Sequence, residues 1–245
     1  MKNSQQIAED KPFTSNMLKV IAIALMFWDH FVVVFLPNNT FMYMALRIPG
    51  RLVAPIICFL IAEGYCYTSN RQKYIFRLLV FALISHYPFN LCFGYTFFQA
   101  TSVIWALAMG LVALTALKSE KIHIVLKPLV LAACCAAAYT ANWNFVAVLW
   151  IVGFGLFHGN FKRQILAFCL VAIVFYLVPN YIRFGFTHWY QPFVFLAIPL
   201  LVGYNGKLGK KSKLMTYGFY VFYPAHLVLL YLIDRFTSLA QLFGG

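Results

Sequence analysis

A chain of 245 residues in which 63% are hydrophobic and only 10% charged cannot cover a water-soluble fold, whose charged share is about 25%. Its formal net charge of +13 does not mark a nucleic-acid binder, because the Lys and Arg residues fall in short gaps between long apolar runs instead of clustering on one solvated face. The composition is that of an integral membrane protein with lipid as its surroundings, and no nucleic-acid partner is expected.

A spanning helix takes roughly 20 apolar residues. The polar stretch Met1–Asn16 reads as a cytoplasmic tail, and 17–245 reads as one transmembrane domain. The first apolar run, Leu18–Leu36, follows Lys2, Lys11 and Lys19 as a secretory signal would. No small-residue cleavage site comes after it, since Asp29-His30 leads straight into more apolar sequence, so it reads as an uncleaved first helix. Further candidate spans are Leu52–Thr68, Tyr74–Phe93, Thr101–Leu117, Ile124–Thr140, Asn144–Phe157, Gln164–Val178, Trp189–Gly203 and Tyr217–Ile233. Phe41–Pro49 has the length of a re-entrant piece, and the sixth and seventh runs are short. The expected fold is therefore an all-α, polytopic helix bundle with about nine transmembrane helices, eight to ten bracketing the count. A membrane β-barrel would need alternating apolar and polar positions, which these unbroken runs lack.

The gaps orient the chain. With nine spans, fifteen of the 19 Lys and Arg residues fall on the N-terminal side, and four (Arg47, Arg51, Arg183, Arg235) fall on the other. That bias makes the N-terminus cytoplasmic and the C-terminus extracytoplasmic. The six cysteines lie inside apolar runs with no CxxC and no His at ligand spacing, so they read as helix-packing thiols and no metal site is expected.

Ionisable groups inside hydrocarbon cost at least about 2.5–3.5 kcal/mol each and are functional candidates for that reason. Asp29, His30, Glu63, His86 and His226 qualify. At 1.5 Å per residue, His30 lies roughly 18 Å from Leu18, His226 about 15 Å from Thr216 and His86 about 18 Å from Tyr74. All three imidazoles are thus expected near one level, whereas Glu63 lies nearer the cytoplasm. Asp29 and His30 are neighbours whose side chains point about 100° apart. Two roles are open to Asp29: lining a cavity beside His30, or pairing with Arg47 or Arg51 so that the charges enter the bundle together. For His30 and His226, an interhelical hydrogen bond without catalysis is the alternative to chemistry. Pro224, two residues before His226, removes a helical hydrogen bond near the Tyr220 carbonyl and is expected to kink the last span. The last cytoplasmic gap, Tyr204–Lys213, carries glycines and four lysines. It suits phosphates, but also lipid headgroups or topology alone, and it lacks the P-loop spacing.

These same residues carry a resemblance. Met26-Phe27-Trp28-Asp29-His30, Arg47-Ile48-Pro49-Gly50-Arg51 followed by Pro55 and Phe59, Glu63-Gly64, Tyr204-Asn205-Gly206 with Gly209, and Tyr220–Leu227 with Pro224 and His226 occur in order along the chain. Together they resemble TraX-like proteins, the family named for the F-pilin acetylation protein. At Ser102 and Asn142-Trp143-Asn144 the chain departs from the Asn and the Tyr-Gly pair more frequent in that family. The resemblance implies a single transmembrane acyltransferase-like domain in a bacterial inner membrane. It would move acetyl from acetyl-CoA to an acceptor amine or hydroxyl on a peptide, such as a pilin N-terminus, or on a glycan. It is also similar, more remotely, to membrane acyltransferases that use an intramembrane His. On that reading His30, Asp29 and His226 are catalytic. Arg51, Arg47, Asn205, Lys207, Lys210 and Lys211 hold acetyl-CoA, and Glu63, His86 and Tyr223 support the site or meet substrate. A neutral imidazole can take the proton of an attacking amine or hydroxyl, and Asp29 could fix its tautomer. Two other classes explain the same residues. A proton-coupled transporter would use Asp29 and the histidines as a relay, and a non-catalytic assembly factor would tolerate their loss.

Overall fold

The computed structural model describes residues 11–38, 40–210 and 213–243, with 213–217 and 238–243 described by backbone alone. It is all-helical, with no named strand among the described residues. The helices are α1 (Ser15–Phe35), α2 (Phe41–Leu46), α3 (Val53–Tyr67), α4 (Arg71–Phe93), α5 (Val103–Lys118), α6 (Leu126–Ala137), α7 (Asn144–Leu156), α8 (Phe161–Val171), α9 (Val178–Phe184), α10 (Ala197–Val202) and α11 (Lys213–Phe243). Among the described residues, five stretches are long and apolar enough to cross a membrane: Ser15–Phe35, Phe41–Tyr67, Arg71–Phe93, Phe161–His188 and Gly218–Thr237. Four shorter apolar helices, Val103–Lys118, Leu126–Ala137, Asn144–Leu156 and Gln191–Val202, fall where the fourth, fifth, sixth and eighth spans are expected.

Local chemistry sets several boundaries. Thr14 Oγ1 accepts from the Met17 amide at the start of α1, Asn70 Oδ1 from Lys73 at the start of α4, and Asn160 Oδ1 from Arg163 at the start of α8. Each satisfies an amide that the helix itself leaves unpaired. Gly94 closes α4 in the left-handed conformation at φ 68°, a geometry glycine takes without a Cβ clash.

Three segments differ from expectation. Phe41–Pro49 is not a separate re-entrant piece: α2 feeds through a 3₁₀ turn, Pro49–Leu52, directly into α3. The seventh run does not stop at Val178. A π-helical stretch, Ala172–Leu177, carries it into α9, and Pro179, which has no N–H to donate back into that stretch, sits at the junction. Lys11–Asn16, the end of the expected tail, is pinned to the loop before α11. Phe13 N–H donates to Gly203 O, Ser15 N–H to Lys207 O, and Asn205 N–H to Phe13 O.

The centre of the bundle is α5 against α7, with α3 also packed on α7. Small residues let these axes approach. A Cβ on Gly155 would overlap the Leu114 side chain, and one on Gly110 would press on Ile151, which is how membrane helices pack when no hydrophobic force separates them from lipid. By contrast, the Phe161–His188 stretch is peripheral, and Leu166, Leu170, Ile173, Phe175 and Ile182 are exposed. Such an apolar outer face is a lipid-facing one, and the protein is a membrane protein.

The connections gather at two ends. At one end Lys11 stacks over Phe161, and the N-terminal segment meets the 203–210 loop. At the other end Thr101 pairs with Ala141 through a backbone bridge, and Arg51 meets Gln191.

Candidate functional site

The far end of the bundle encloses a cavity of about 380 Å³, within the range of small-molecule sites. Its polar wall is Asp29 and His30 from α1, Arg47 and Arg51 from either side of Gly50, and Thr140, Asn142 and Trp143 from the α6–α7 connection. An apolar wall of Met26, Ile57, Leu107 and Phe219 extends toward the opposite end. The volume and the convergence of polar groups on one wall make this the candidate site.

His30 and His226 meet across α1 and α11. Nδ1 of His30 lies 2.8 Å from Nε2 of His226, and the rings are nearly coplanar at an interplanar angle of 5°. His226 Nδ1 lies 2.8 Å from the Phe222 carbonyl. A carbonyl only accepts, so Nδ1 of His226 carries the hydrogen and Nε2 of the neutral ring is an acceptor. His30 Nδ1–H must then be the donor to it. This ordering leaves the lone pair of the His30 ring on Nε2, and His30 is the member of the pair that lines the cavity. Phe93 packs edge-on against His30, Phe222 stacks on His226, and Tyr223 lies edge-on to both rings.

Asp29 does not orient either imidazole. Arg47 grips it from Nε and Nη2, at 3.0 Å to Oδ1 and 3.1 Å to Oδ2, and Arg51 Nη2 reaches the same two oxygens at 3.3 and 3.2 Å. The expectation that Asp29 fixes the histidine tautomer is replaced by this double clamp, because four charge-assisted bonds occupy both carboxylate oxygens. His226 and the Phe222 carbonyl order the tautomer instead. Arg47 Nη1 also donates to Tyr43 Oη at 3.1 Å, and Arg51 Nη1 to Gln191 Oε1 at 3.3 Å. Tyr176 hydrogen-bonds Gln191, and Arg51 lies over the Trp143 and Tyr190 rings.

Gly50 is the residue that lets the clamp close. A Cβ there would overlap the Asp29 carboxylate. Gly50→Ala should therefore push Asp29 off the arginines and lower stability by about 1–3 kcal/mol, the usual cost of overpacking. Thermal unfolding in detergent, with Gly153→Ala as a milder control, would check this. A Cβ at Gly153 meets only the Ala167 methyl, at 3.1 Å.

The other expected site residues lie elsewhere. His86 Nε2 is 2.7 Å from the Phe97 carbonyl, with Asn90 Nδ2 at 3.2 Å; it does not line the cavity. The buried residues of α4 are Tyr74, Leu78, Ala82, Ser85, Phe89 and Asn90, and half-buried His86 stands at the edge of that face, turned to the Phe97 carbonyl. Glu63, about 18 Å along the chain from Arg51, pairs with His158 Nε2 at 3.2 Å, with Gln164 and Tyr204 beside it. Asn205 Nδ2 donates to the Lys11 carbonyl and its Oδ1 accepts from the Lys207 amide, so its side chain holds the loop to the N-terminal segment. Lys207 and Lys210 share that end, and Lys211 lies outside the described residues.

Four groups around Arg51 escaped the sequence reading: Trp143, Tyr176, Tyr190 and Gln191. Trp143 and Asn144 adopt φ of 65° and 36°, a left-handed turn that non-glycine residues seldom take. The one available signal was the departure of Asn142-Trp143-Asn144 from the pattern that the rest of the chain resembles.

Comparison with known proteins agrees with the order of motifs. No solved structure matches the chain. The "Probable fimbrial assembly protein FimC, serogroup H1" of Dichelobacter nodosus is similar, 31% identical over 237 residues that span 89% of this chain and 94% of that protein. The family model described as TraX protein matches residues 14–234. With the motifs, the paired histidines and a match over nearly the whole length, the chain belongs to the TraX family.

Proposed function

We propose that the protein is an acetyl-CoA-dependent acetyltransferase of the bacterial inner membrane, with His30 as general base. The observation that carries the reading is the ordered chain from the Phe222 carbonyl through His226 to cavity-lining His30, which leaves Nε2 as the acceptor nitrogen of the His30 ring. A histidine held in one tautomer by a second group is how an imidazole is prepared to accept a proton. In the proposed step an acceptor amine or hydroxyl attacks the thioester carbonyl and passes its proton to His30 Nε2. The carbon–sulfur bond breaks, and the departing thiolate takes that proton, leaving an acetylated acceptor and free CoA. His226 carries part of the charge of the transient imidazolium by accepting from Nδ1–H.

The lysine-rich end, cytoplasmic by the positive-inside rule, is where acetyl-CoA would arrive. About 22 Å of α1 separates Ser15, which touches Lys207, from His30. The apolar wall of Met26, Ile57, Leu107 and Phe219 spans part of that distance. Neutralising Lys207, Lys210 and Lys211 together is expected to raise KM for acetyl-CoA with kcat little changed, the signature of lost ground-state binding. Initial rates at low salt measure it, and an unchanged KM would remove the loop from the donor site. Reporter fusions supply the orientation: one placed after Lys213 should read cytoplasmic and one at Gly245 extracytoplasmic, and equal readings would break the nine-span topology.

The relative's name refers to fimbrial assembly, which keeps a second reading in view. A non-catalytic assembly factor would keep its phenotype when His30 is changed to Gln. The direct test is CoA release: purified wild-type protein with acetyl-CoA and a small amine should liberate CoA, and His30→Gln should not.

A further inference from the structure

The polar wall of the cavity is out of electrical balance. Its lining carries two guanidiniums, Arg47 and Arg51, and a single carboxylate, Asp29, with His30 neutral, so one positive charge is left over. The sequence has only six acids, and the other intramembrane one, Glu63, is paired with His158 near the opposite end. Arg51 is 7% exposed, and its buried Nε finds no acceptor among the described residues. An unbalanced charge in a low-dielectric cavity is costly, and a bound anion removes that cost. The aromatic rings of Trp143 and Tyr190 flank the Arg51 guanidinium, so its charge is fixed at the cavity wall before an anion arrives.

We propose that the Arg47–Arg51 pair is a recognition site for an oxyanion, a carboxylate or phosphate, carried by the acyl acceptor close to its nucleophilic atom. The assignment to the acceptor rests on the acetyltransferase reading. It follows from place: the arginines sit at the end of the bundle opposite the lysine-rich loop, and they share a cavity wall with His30. A group bound there would bring its own neighbouring amine or hydroxyl beside the base. The phosphates of CoA are the other possible source of the same chemistry, and the test separates the two.

Full-length protein in zwitterionic nanodiscs should be titrated with inorganic phosphate and with acetate at constant ionic strength, following tryptophan fluorescence and the unfolding midpoint. A saturable response is expected, weakened at least tenfold in Arg51→Gln. Arg51→Lys, which keeps the charge but loses the planar fork, should also bind more weakly and serves if Arg51→Gln does not fold. No saturable response in the wild type, or an equal one in both variants, overturns the site. Adding saturating CoA should leave the phosphate response in place. If CoA abolishes it, and the variants weaken CoA equally, the arginines belong to the donor and the acceptor assignment is overturned. A second arm measures CoA release with glycylglycine and with glycylglycinamide, which differ in the carboxylate. The carboxylate-bearing amine should have at least a tenfold larger kcat/KM, and Arg51→Lys should shrink that ratio; equal values for the two amines overturn the acceptor assignment. Anion binding without CoA release from either amine would instead overturn the acetyltransferase reading, and the acceptor assignment with it, while leaving the anion site standing.

Discussion

His30→Ala should reduce acetyl transfer by roughly 10²–10⁴-fold, the usual worth of a positioned general base. His226→Ala should fall in the same range, since without it the His30 tautomer is no longer set. The glutamine variants separate the two roles. A Gln at 226 keeps an amide N–H for the Phe222 carbonyl and an oxygen for His30 Nδ1–H, so it can imitate the ordering contacts of His226. A Gln at 30 cannot take up a proton. His226→Gln is therefore expected to recover at least tenfold over His226→Ala, while His30→Gln stays as low as His30→Ala. The double alanine variant should be little worse than the poorer single one, because the residues act as a unit. If both glutamine variants insert and transfer at near wild-type rates, the pair is a structural hydrogen bond and the base lies elsewhere.

Asp29→Ala should be the most destabilising single change at the site. It leaves buried Arg51 and half-buried Arg47 with no carboxylate, and breaking a buried ion pair from one side costs about 3–5 kcal/mol. The loss should show as a lower unfolding midpoint in mild detergent. Combining it with Arg47→Gln should cost less than the sum of the separate changes, because the second substitution removes one of the charges that the first leaves unpaired. Additive losses would mean that Asp29 and Arg47 are not coupled. Asp29 thus holds Arg47 and Arg51 at the cavity wall and makes no hydrogen bond to His30.

Much of this arrangement was legible in the sequence because hydrocarbon makes polar residues conspicuous. Counting along two helices put His30 and His226 at one level, and the cost of an unpaired buried carboxylate pointed Asp29 to Arg47 or Arg51. Axial depth says nothing about rotation, however, and that is why His86 was expected at the same place. Its level suits, but it stands at the edge of the inward face of α4 and is held by the Phe97 carbonyl. The surroundings of Arg51 were illegible for a different reason. Trp143, Tyr176 and Gln191 come from three connections whose paths depend on a left-handed turn, a π-helical stretch and a 3₁₀ segment. None of these has a hydrophobic period to read. The Glu63–His158 pair joins residues far apart in the chain, and nothing local to either marks the other. The lysine-rich loop was visible as charge, but its attachment to the N-terminal segment runs mainly through backbone hydrogen bonds, which side-chain chemistry does not announce.

The central claim is that acetyl leaves CoA at this intramembrane site and reaches an acceptor through His30. Sealed proteoliposomes of the purified protein, given radiolabelled acetyl-CoA on the lysine-rich side and a membrane extract from the source cells as acceptor, test it in one measurement. Label should move to a peptide or glycan fraction with release of an equal amount of CoA, and both signals should vanish in His30→Gln. Transfer that continues unchanged in His30→Gln, or no CoA release by the wild type with any acceptor fraction, would contradict it.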